Sequence, residues 1–300
     1  MRVCDCNVSF ANTGVGTCKN LMAAARKFIF VPTYDSTGAR NKIAAGDTLN
    51  AAYFTALVNQ ADATKRWYPT SLVENVEDLR AEAIFETLAS GEKIFIQDGP
   101  RTVKTFIKKE SNTLIGKLLA FQCKDFSAYE VDKNRSLIGS YDGTDLYPIQ
   151  IENETLSVML IKATDTTAQK IALSFEFSSE ERDEDLRIIT ETEAGTNLLN
   201  LSGLLDVNCA TSSPSVTGFV AVLTTDYGTF KSPISVVGWV KADFTLYNTT
   251  QSSPITITSV TENPDGTYTF VFPTQAQYDV LTLTASKSGY EFPSTTVTIP

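Results

Sequence analysis

Turn residues break the last hundred residues into short apolar runs, and this pattern restricts the fold more than any other feature of the chain. The turns at 226–228, 263–266 and 287–289 each end in glycine. Apolar and polar residues alternate most clearly in 268–272 and 280–285. Seven such runs in such a short stretch predict an aligned β-sandwich. The runs are 216–225, 234–240, 244–248, 255–261, 268–272, 280–285 and 294–299.

The same stretch is poor in charge. Residues 201–300 carry seven acidic and three basic side chains, whereas the whole chain carries 35 and 25. A shift of composition of this kind usually marks a domain boundary. The sequence therefore predicts two domains, 1–205 and 206–300, with 193–197 or 212–214 as the linker.

The first domain is predicted to be of mixed α+β type but mainly β. Segment 48–59 has apolar side chains at helical spacing after Asp47, a residue that can cap a helix. A second helix is predicted over 113–122, capped by Ser111 or Asn112. Strands are predicted at 126–131, 146–151, 156–161 and 170–177. In the last of these, Ile171, Leu173, Phe175 and Phe177 are expected to share one face.

Segment 80–109 predicts a three-stranded meander. Its strands are expected at 80–89, 92–97 and 102–109. Alternation would place Glu82 and Glu86 on one side of the first strand and Phe85 on the other. A helix over 76–88 is the alternative, because these residues also favour helices.

Composition excludes several classes of function. The chain has no histidine, which removes Ser-His-Asp triads, Cys-His pairs and histidine metal sites. Its net charge is -10, and an acidic surface repels nucleic acid instead of binding it. No local pattern selects a carboxylate pair for glycoside hydrolysis. We therefore expect no enzyme activity and no bound cofactor.

A few groups could still hold a metal or a ligand. Cys4, Cys6 and Cys18 could form a thiolate site, but their spacing is not that of a zinc ribbon, and unpaired packing thiols are the favoured interpretation. The acidic run 179–185 could bind a divalent cation, although a solvated turn explains it better. The aromatic cluster 66–69 could stack on a sugar or a base, whereas burial against a sheet is the more usual role. Trp239 is expected in the sandwich core.

The N-terminal residues show no apolar leader, because Asp5 and Asn7 interrupt the first apolar residues. No stretch approaches the roughly 18 apolar residues of a membrane span. We expect a protein made and assembled in cytoplasm.

Taken together, the helix at 48–59, the meander at 80–109 and the charge-poor sandwich at 216–299 resemble the major tail tube proteins of long-tailed bacteriophages. Several members of that family carry an Ig-like domain at the C-terminus. The resemblance covers the whole chain and is architectural, without a short diagnostic motif. The stretch from Cys4 to Cys18 departs from it.

The resemblance implies a virion protein whose copies form rings, usually hexameric, that stack into a tube. Strands of neighbouring copies would join into one inner barrel, with Ile84, Phe85, Ile94 and Ile96 as assembly residues. Glu82 and Glu86 would face an acidic lumen through which DNA passes without specific binding. Other virion proteins would be partners, and the Ig-like domain would make weak contacts with host-surface glycans, multiplied by many copies.

Three alternatives stay open. One is another virion position, either a portal-adjacent ring or a head-decoration protein. A second is a surface adhesin that binds glycans through the Ig-like module and residues 66–69. A third is an enzyme that uses a carboxylate pair, which the missing histidine and the lack of a selected pair disfavour.

Overall fold

A computed structural model describes residues 21–300. The chain divides into two compact units, the first ending at Gly203 and the second beginning at Leu204, close to the predicted boundary at 205. Strands predominate in both units, and the described residues contain three short α-helices. The predicted mainly β fold class is confirmed.

The first unit consists of two sheets and a separate hairpin. Its strands are β1 Ala25–Pro32, β2 Tyr68–Pro69, β3 Val73–Arg80, β4 Ile84–Thr87, β5 Lys93–Gln97, β6 Arg101–Lys108, β7 Phe126–Asp132, β8 Leu137–Tyr141, β9 Leu146–Tyr147, β10 Ile149–Gln150, β11 Ser157–Ile161, β12 Lys170–Phe177 and β13 Leu186–Ile189. A seven-stranded sheet has the order β13-β8-β7-β1-β2, with β9 on β8 and β10 on β7. A four-stranded sheet has the order β11-β12-β6-β3.

One hydrophobic core joins these two sheets. Phe28 and Phe30 of β1 meet Phe175 of β12, and the rings of Phe28 and Phe175 lie edge to face at 5.2 Å between centroids. Ile171, Leu173, Phe175 and Phe177 are all buried, whereas the residues between them are half-buried. The predicted alternation of β12 is therefore confirmed, and its apolar face forms one wall of the core.

The helices of the first unit are α1 Ala51–Val58, α2 Thr113–Leu119 and α3 Glu191–Ala194. Helix α1 lies within the predicted 48–59, but its cap is Asn50, whose side chain accepts a hydrogen bond from Tyr53 N at 2.9 Å. Asp47 lies three residues before this cap, and its carboxylate accepts from Ala44 N and from the Tyr53 hydroxyl. Helix α2 starts at the predicted residue, and Asn112 precedes it without a side-chain cap.

The predicted meander is wrong. The expected strand 80–89 is interrupted, since β3 ends at Arg80 and β4 begins at Ile84. Strand β5 pairs with β4 alone, while β6 pairs with β3 and β12. The alternative helix over 76–88 is also wrong, because pairing with β6 fixes β3 as a strand. Segment Ile84–Gln97 is thus a hairpin inserted between two strands that are neighbours in the sheet.

The second unit is a two-sheet sandwich. Its strands are β14 Leu205–Ser215, β15 Gly218–Thr229, β16 Ser232–Ser235, β17 Phe244–Asn248, β18 Ser253–Ile255, β19 Ser259–Glu262, β20 Thr267–Val271, β21 Val280–Ala285, β22 Tyr290–Glu291 and β23 Thr295–Thr298. One sheet has the order β19-β20-β15-β14-β22 with β16 on β15, and the other has the order β18-β17-β21-β23.

Trp239 is buried in the core of this sandwich, as predicted, against Phe244 and Tyr290. The predicted run 255–261 divides into β18 and β19, which belong to different sheets. The two linker candidates are also accounted for. Residues 212–214 lie within β14 at a bulge, and 193–197 includes the end of α3.

Candidate assembly surface

The hairpin β4–β5 is the most unusual surface of the first unit. It forms a two-stranded sheet of its own, in which Phe85 pairs with Phe95 and their rings lie edge to face at 5.8 Å. Gly91 closes the turn with a positive φ of 85°, and Leu88 N donates to Glu92 O. The turn and the cross-strand pair define the hairpin, although an isolated two-stranded hairpin is only marginally stable in water.

The side chains of this hairpin are apolar and exposed. Phe85 is 51% exposed, and Ile84, Leu88 and Ile94 are exposed as well. Every residue of β4 is exposed, so no other described element covers that strand. A cluster of apolar side chains on an uncovered hairpin is typical of interaction surfaces.

Arg80 and Gly99 fix the base of the hairpin. Ala81 N donates to Pro100 O at 2.9 Å, which continues the pairing of β3 with β6 up to the insertion. A Cβ atom at Gly99 would lie 2.3 Å from Ala81 O, so only glycine fits this approach. Arg80 donates to Gly99 O and to both carboxylate oxygens of Asp183. Neither Arg80 nor Gly99 is among the site residues that the sequence predicts.

The two edges of the four-stranded sheet differ in character. Strand β11 pairs with β12 alone and contains neither charge nor proline. Its Met159 is 60% exposed, and Ile161 is exposed as well. Strand β3, at the opposite edge, carries charged side chains and a register shift between Glu74 and Glu77. Charges and bulges protect an edge against pairing, so β11 is the unprotected edge.

The outer face of this sheet carries charges of both signs. Lys104 and Lys108 of β6 project on the same side as Lys170 and Glu176 of β12. Lys108 forms an ion pair with Glu74 of β3. This face is therefore not an acidic wall, and an acidic lining would have to come from elsewhere in the unit.

The structure places the predicted assembly residues together in the hairpin. Ile84 and Phe85 lie on β4, and Ile94 and Ile96 lie on β5, with Ile96 half-buried. Of the two predicted lumen residues, Glu86 is exposed on β4 opposite Ile94. Glu82 is exposed in the segment before β4 instead of in a strand, so the predicted alternation does not relate it to Glu86.

The aromatic cluster 66–69 is not a binding platform. Trp67 is buried, with its ring 5.7 Å from Phe54 and 4.9 Å from Tyr129. Arg66 is buried too, and its Nε donates to Gln60 O at 2.7 Å. Trp67 and Arg66 are therefore buried, which is the more usual of the two roles considered from the sequence.

The acidic run 179–185 is engaged in ion pairs. Arg40 binds Glu181 at 3.2 Å, and Arg80 binds Asp183 at 3.0 Å. Over residues 21–300, no group of three or more cysteine, aspartate or glutamate side chains is arranged to hold a metal ion. Cys123 and Cys209 are free thiols, and Cys4, Cys6 and Cys18 lie outside the described residues.

No protein-family profile matches this chain, and comparison with curated proteins and with solved structures gave no match either. None of the helices in the described part of the chain has both the length and the apolar character needed to cross a membrane.

Proposed function

We propose that this protein is a structural subunit of a virion, of the tail-tube type, whose copies assemble through the hairpin β4–β5 and the unprotected edge β11. The observation that carries the proposal is the exposed apolar surface of the hairpin. A monomer gains nothing from exposing Phe85, whereas burial in a neighbouring copy would remove its ring from water.

The proposed contact extends one sheet across copies. Strand β11 offers free backbone donors and acceptors without charge, and such an edge accepts a strand from another chain. Repetition of a head-to-tail contact closes into a ring, and rings stack into a tube. Ring number stays a prediction, with six as the usual value implied by the resemblance.

The lumen is proposed to be acidic and to let DNA pass without specific binding. The net charge of -10 supports this, together with exposed Glu82 and Glu86 on and beside the hairpin. The mixed charge of the sheet face means that the hairpin has to supply this lining. In this proposal the protein is located in the virion and is assembled in the host cytoplasm with other virion proteins.

A specific observation favours a second candidate, an adhesin function of the second unit. Phe230, between β15 and β16, is fully exposed, and Ile234 of β16 is exposed as well. An exposed aromatic ring can stack on a sugar. Binding of the purified protein to a glycan array, lost in Phe230→Ala, would support this candidate.

The assembly proposal is tested with the full-length protein by negative-stain microscopy and sedimentation velocity. The wild type is expected to form rings or tubes, and Phe85→Asp is expected to remain a folded monomer. Phe230→Asp is the matched control, because it places the same charge on an exposed phenylalanine of the second unit. Tubes from Phe85→Asp, or their loss in Phe230→Asp, would contradict the assignment of the hairpin.

A further inference from the structure

A cavity of about 310 Å³ in the first unit has polar and apolar walls. Its polar lining includes Asp78 of β3, Arg101 of β6 and Glu130 of β7. Its apolar lining includes Ala25, Val76 and Ile138. We call it the Glu130 cavity. None of its lining residues belongs to the hairpin β4–β5 or to β11, so it is separate from the proposed assembly surface.

Glu130 is a buried carboxylate that lacks a partner for one of its oxygens. The residue is 4% exposed, and Oε1 has no hydrogen bond within the described residues. Among residues 21–300, the nearest cationic atom is Arg101 Nη2 at 3.9 Å, which is too far for a hydrogen bond. Buried polar atoms of this kind are rare, and each calls for an explanation such as a bound group.

Arg101 cannot satisfy Glu130 because other carboxylates already engage it. Its Nε donates to Asp78 Oδ1 at 2.6 Å, and Nη2 donates to Asp78 Oδ2. Its Nη1 lies 3.6 Å from Asp183 Oδ1. Arg80 also binds Asp183, so two guanidinium groups serve three carboxylates, and one negative charge is in excess when Glu130 is ionised.

The charged groups around Glu130 oppose its ionisation. Burial raises the pKa of Glu130 to about 7, and the charges of Asp78 on β3 and Asp132 on β7 add to this, against the opposing effect of Arg101 on β6. Asp132 itself accepts hydrogen bonds from Ala23 N and Ser136 N, so its carboxylate is already partnered. The missing element at this site is a positive hydrogen-bond donor.

We propose that the Glu130 cavity binds a protonated alkylamine, with its ammonium group on Glu130 Oε1 and its methylene groups against Val76 and Ile138. An ammonium group has three donors, which suits a pocket that contains carboxylates and one unpartnered oxygen. A volume of about 310 Å³ lies at the lower end of the range of about 300–1,000 Å³ for ligand pockets. An organic cation also fits better than a metal ion, because the described residues contain no metal-type cluster.

The test uses n-butylammonium chloride as the probe, titrated into full-length protein by isothermal titration calorimetry. We expect binding at about pH 8.5, where Glu130 is ionised, and at least roughly tenfold weaker binding at about pH 5.5. Glu130→Gln should weaken binding at about pH 8.5 by at least roughly tenfold and abolish the pH dependence. Glu77→Gln, which removes one exposed carboxylate from the same strand as Asp78, should bind like the wild type.

Two further probes separate this proposal from nonspecific effects. Tetramethylammonium has the charge without an N–H donor, and 1-butanol has the stem without the charge, so neither should bind at the same concentrations. Equal binding of either probe, equal binding to Glu130→Gln, or no binding of n-butylammonium would overturn the proposal. The unfolding midpoint of Glu130→Gln, measured alongside, shows that a loss of binding is not a loss of fold.

The natural ligand could be a free amine or a lysine side chain of a second copy, since both present the same group. Titration at low and at high protein concentration distinguishes them. A lysine from another copy would compete with the probe as the protein is concentrated, whereas a free amine would leave the affinity unchanged. Either result supports the cavity as an ammonium site.

Discussion

In the second unit, Asn248 Nδ2 donates to Asp279 Oδ2 at 2.8 Å, and both residues are buried. The same carboxylate oxygen accepts from Gln251 Nε2 and from Ala276 N. Asn248 Oδ1 in turn accepts from Gln251 N. A buried charge is tolerated when its hydrogen bonds are made, so this network ties the end of β17 to the segment before β21.

Asn248→Ala is therefore expected to lower the free energy of unfolding of the second unit by about 1–3 kcal/mol, because Asp279 loses a buried donor. The chain has two tryptophans, Trp67 in the first unit and Trp239 in the second. Urea unfolding followed by fluorescence in a Trp67→Phe background reports the second unit alone. Thr249→Ala removes an exposed hydroxyl pair with Thr282 and should cost less than about 0.5 kcal/mol. Equal losses in the two variants would contradict the role of the network.

Local pattern was sufficient for elements whose character is set within a few residues. The alternation of β12 follows from its own sequence, because one face of that strand packs on the core. Helix α1 was predicted by its spacing, but its cap was misplaced by three residues. Asp47 and Asn50 are both residue types that cap helices well, and the start of the helix at Ala51 makes Asn50 the cap.

Strand partners and burial that depend on residues distant in the chain could not be predicted from the local sequence. Segment 92–109 looked like two successive strands of a meander, but β6 pairs with β12, where Arg101 lies opposite Phe177. Trp67 was ambiguous because Tyr129, which contacts its ring, is far along the chain. Glu130 was not singled out, since a glutamate in a strand usually faces solvent. Every residue of β7 is buried, and Glu130 lies on the same face as Phe126 and Ala128.

A charge placed on the edge strand β11 is expected to block assembly without affecting the fold. Met159→Lys places a charge on an uncharged edge strand at an exposed position, so stability should change by less than about 0.5 kcal/mol. Sedimentation velocity should show loss of rings or tubes. Met159→Gln removes the apolar side chain without adding charge and should retain more assembly than the lysine variant. Unchanged assembly of Met159→Lys would exclude β11 from the interface.

Glu130 should make the first unit less stable as the pH rises. Its pKa is raised from 4.5 to about 7 in the folded protein, so the folded state holds a proton that the unfolded state has lost between these values. The free energy of unfolding should thus fall by about 3 kcal/mol from pH 4.5 to pH 7, relative to Glu130→Gln.

Urea unfolding of the wild type and of Glu130→Gln between pH 4.5 and pH 7 measures the difference in the free energy of unfolding. Trp67 fluorescence in a Trp239→Phe background reports the first unit alone. Other carboxylates with lowered pKa values, such as Asp35 and Glu193, act below pH 4.5 and are common to the wild type and Glu130→Gln. If the free energies of unfolding of the wild type and Glu130→Gln differ by the same amount at every pH, the pKa of Glu130 is not raised by folding.

Gly99 connects the fold of the first unit to its proposed assembly, because it lies at the base of the hairpin β4–β5. Gly99→Ala would push a methyl group against the carbonyl groups of Ala81 and Glu82, so the chain must separate where the hairpin leaves β3 and β6. We expect a loss of about 1–3 kcal/mol in the first unit, and assembly weakened because the hairpin no longer has a fixed direction. Gly116→Ala is the control, since a Cβ there meets no neighbouring atom and alanine favours the helix α2. If Gly99→Ala unfolds and assembles like Gly116→Ala, the base of the hairpin is not what orients Phe85 for a neighbouring copy.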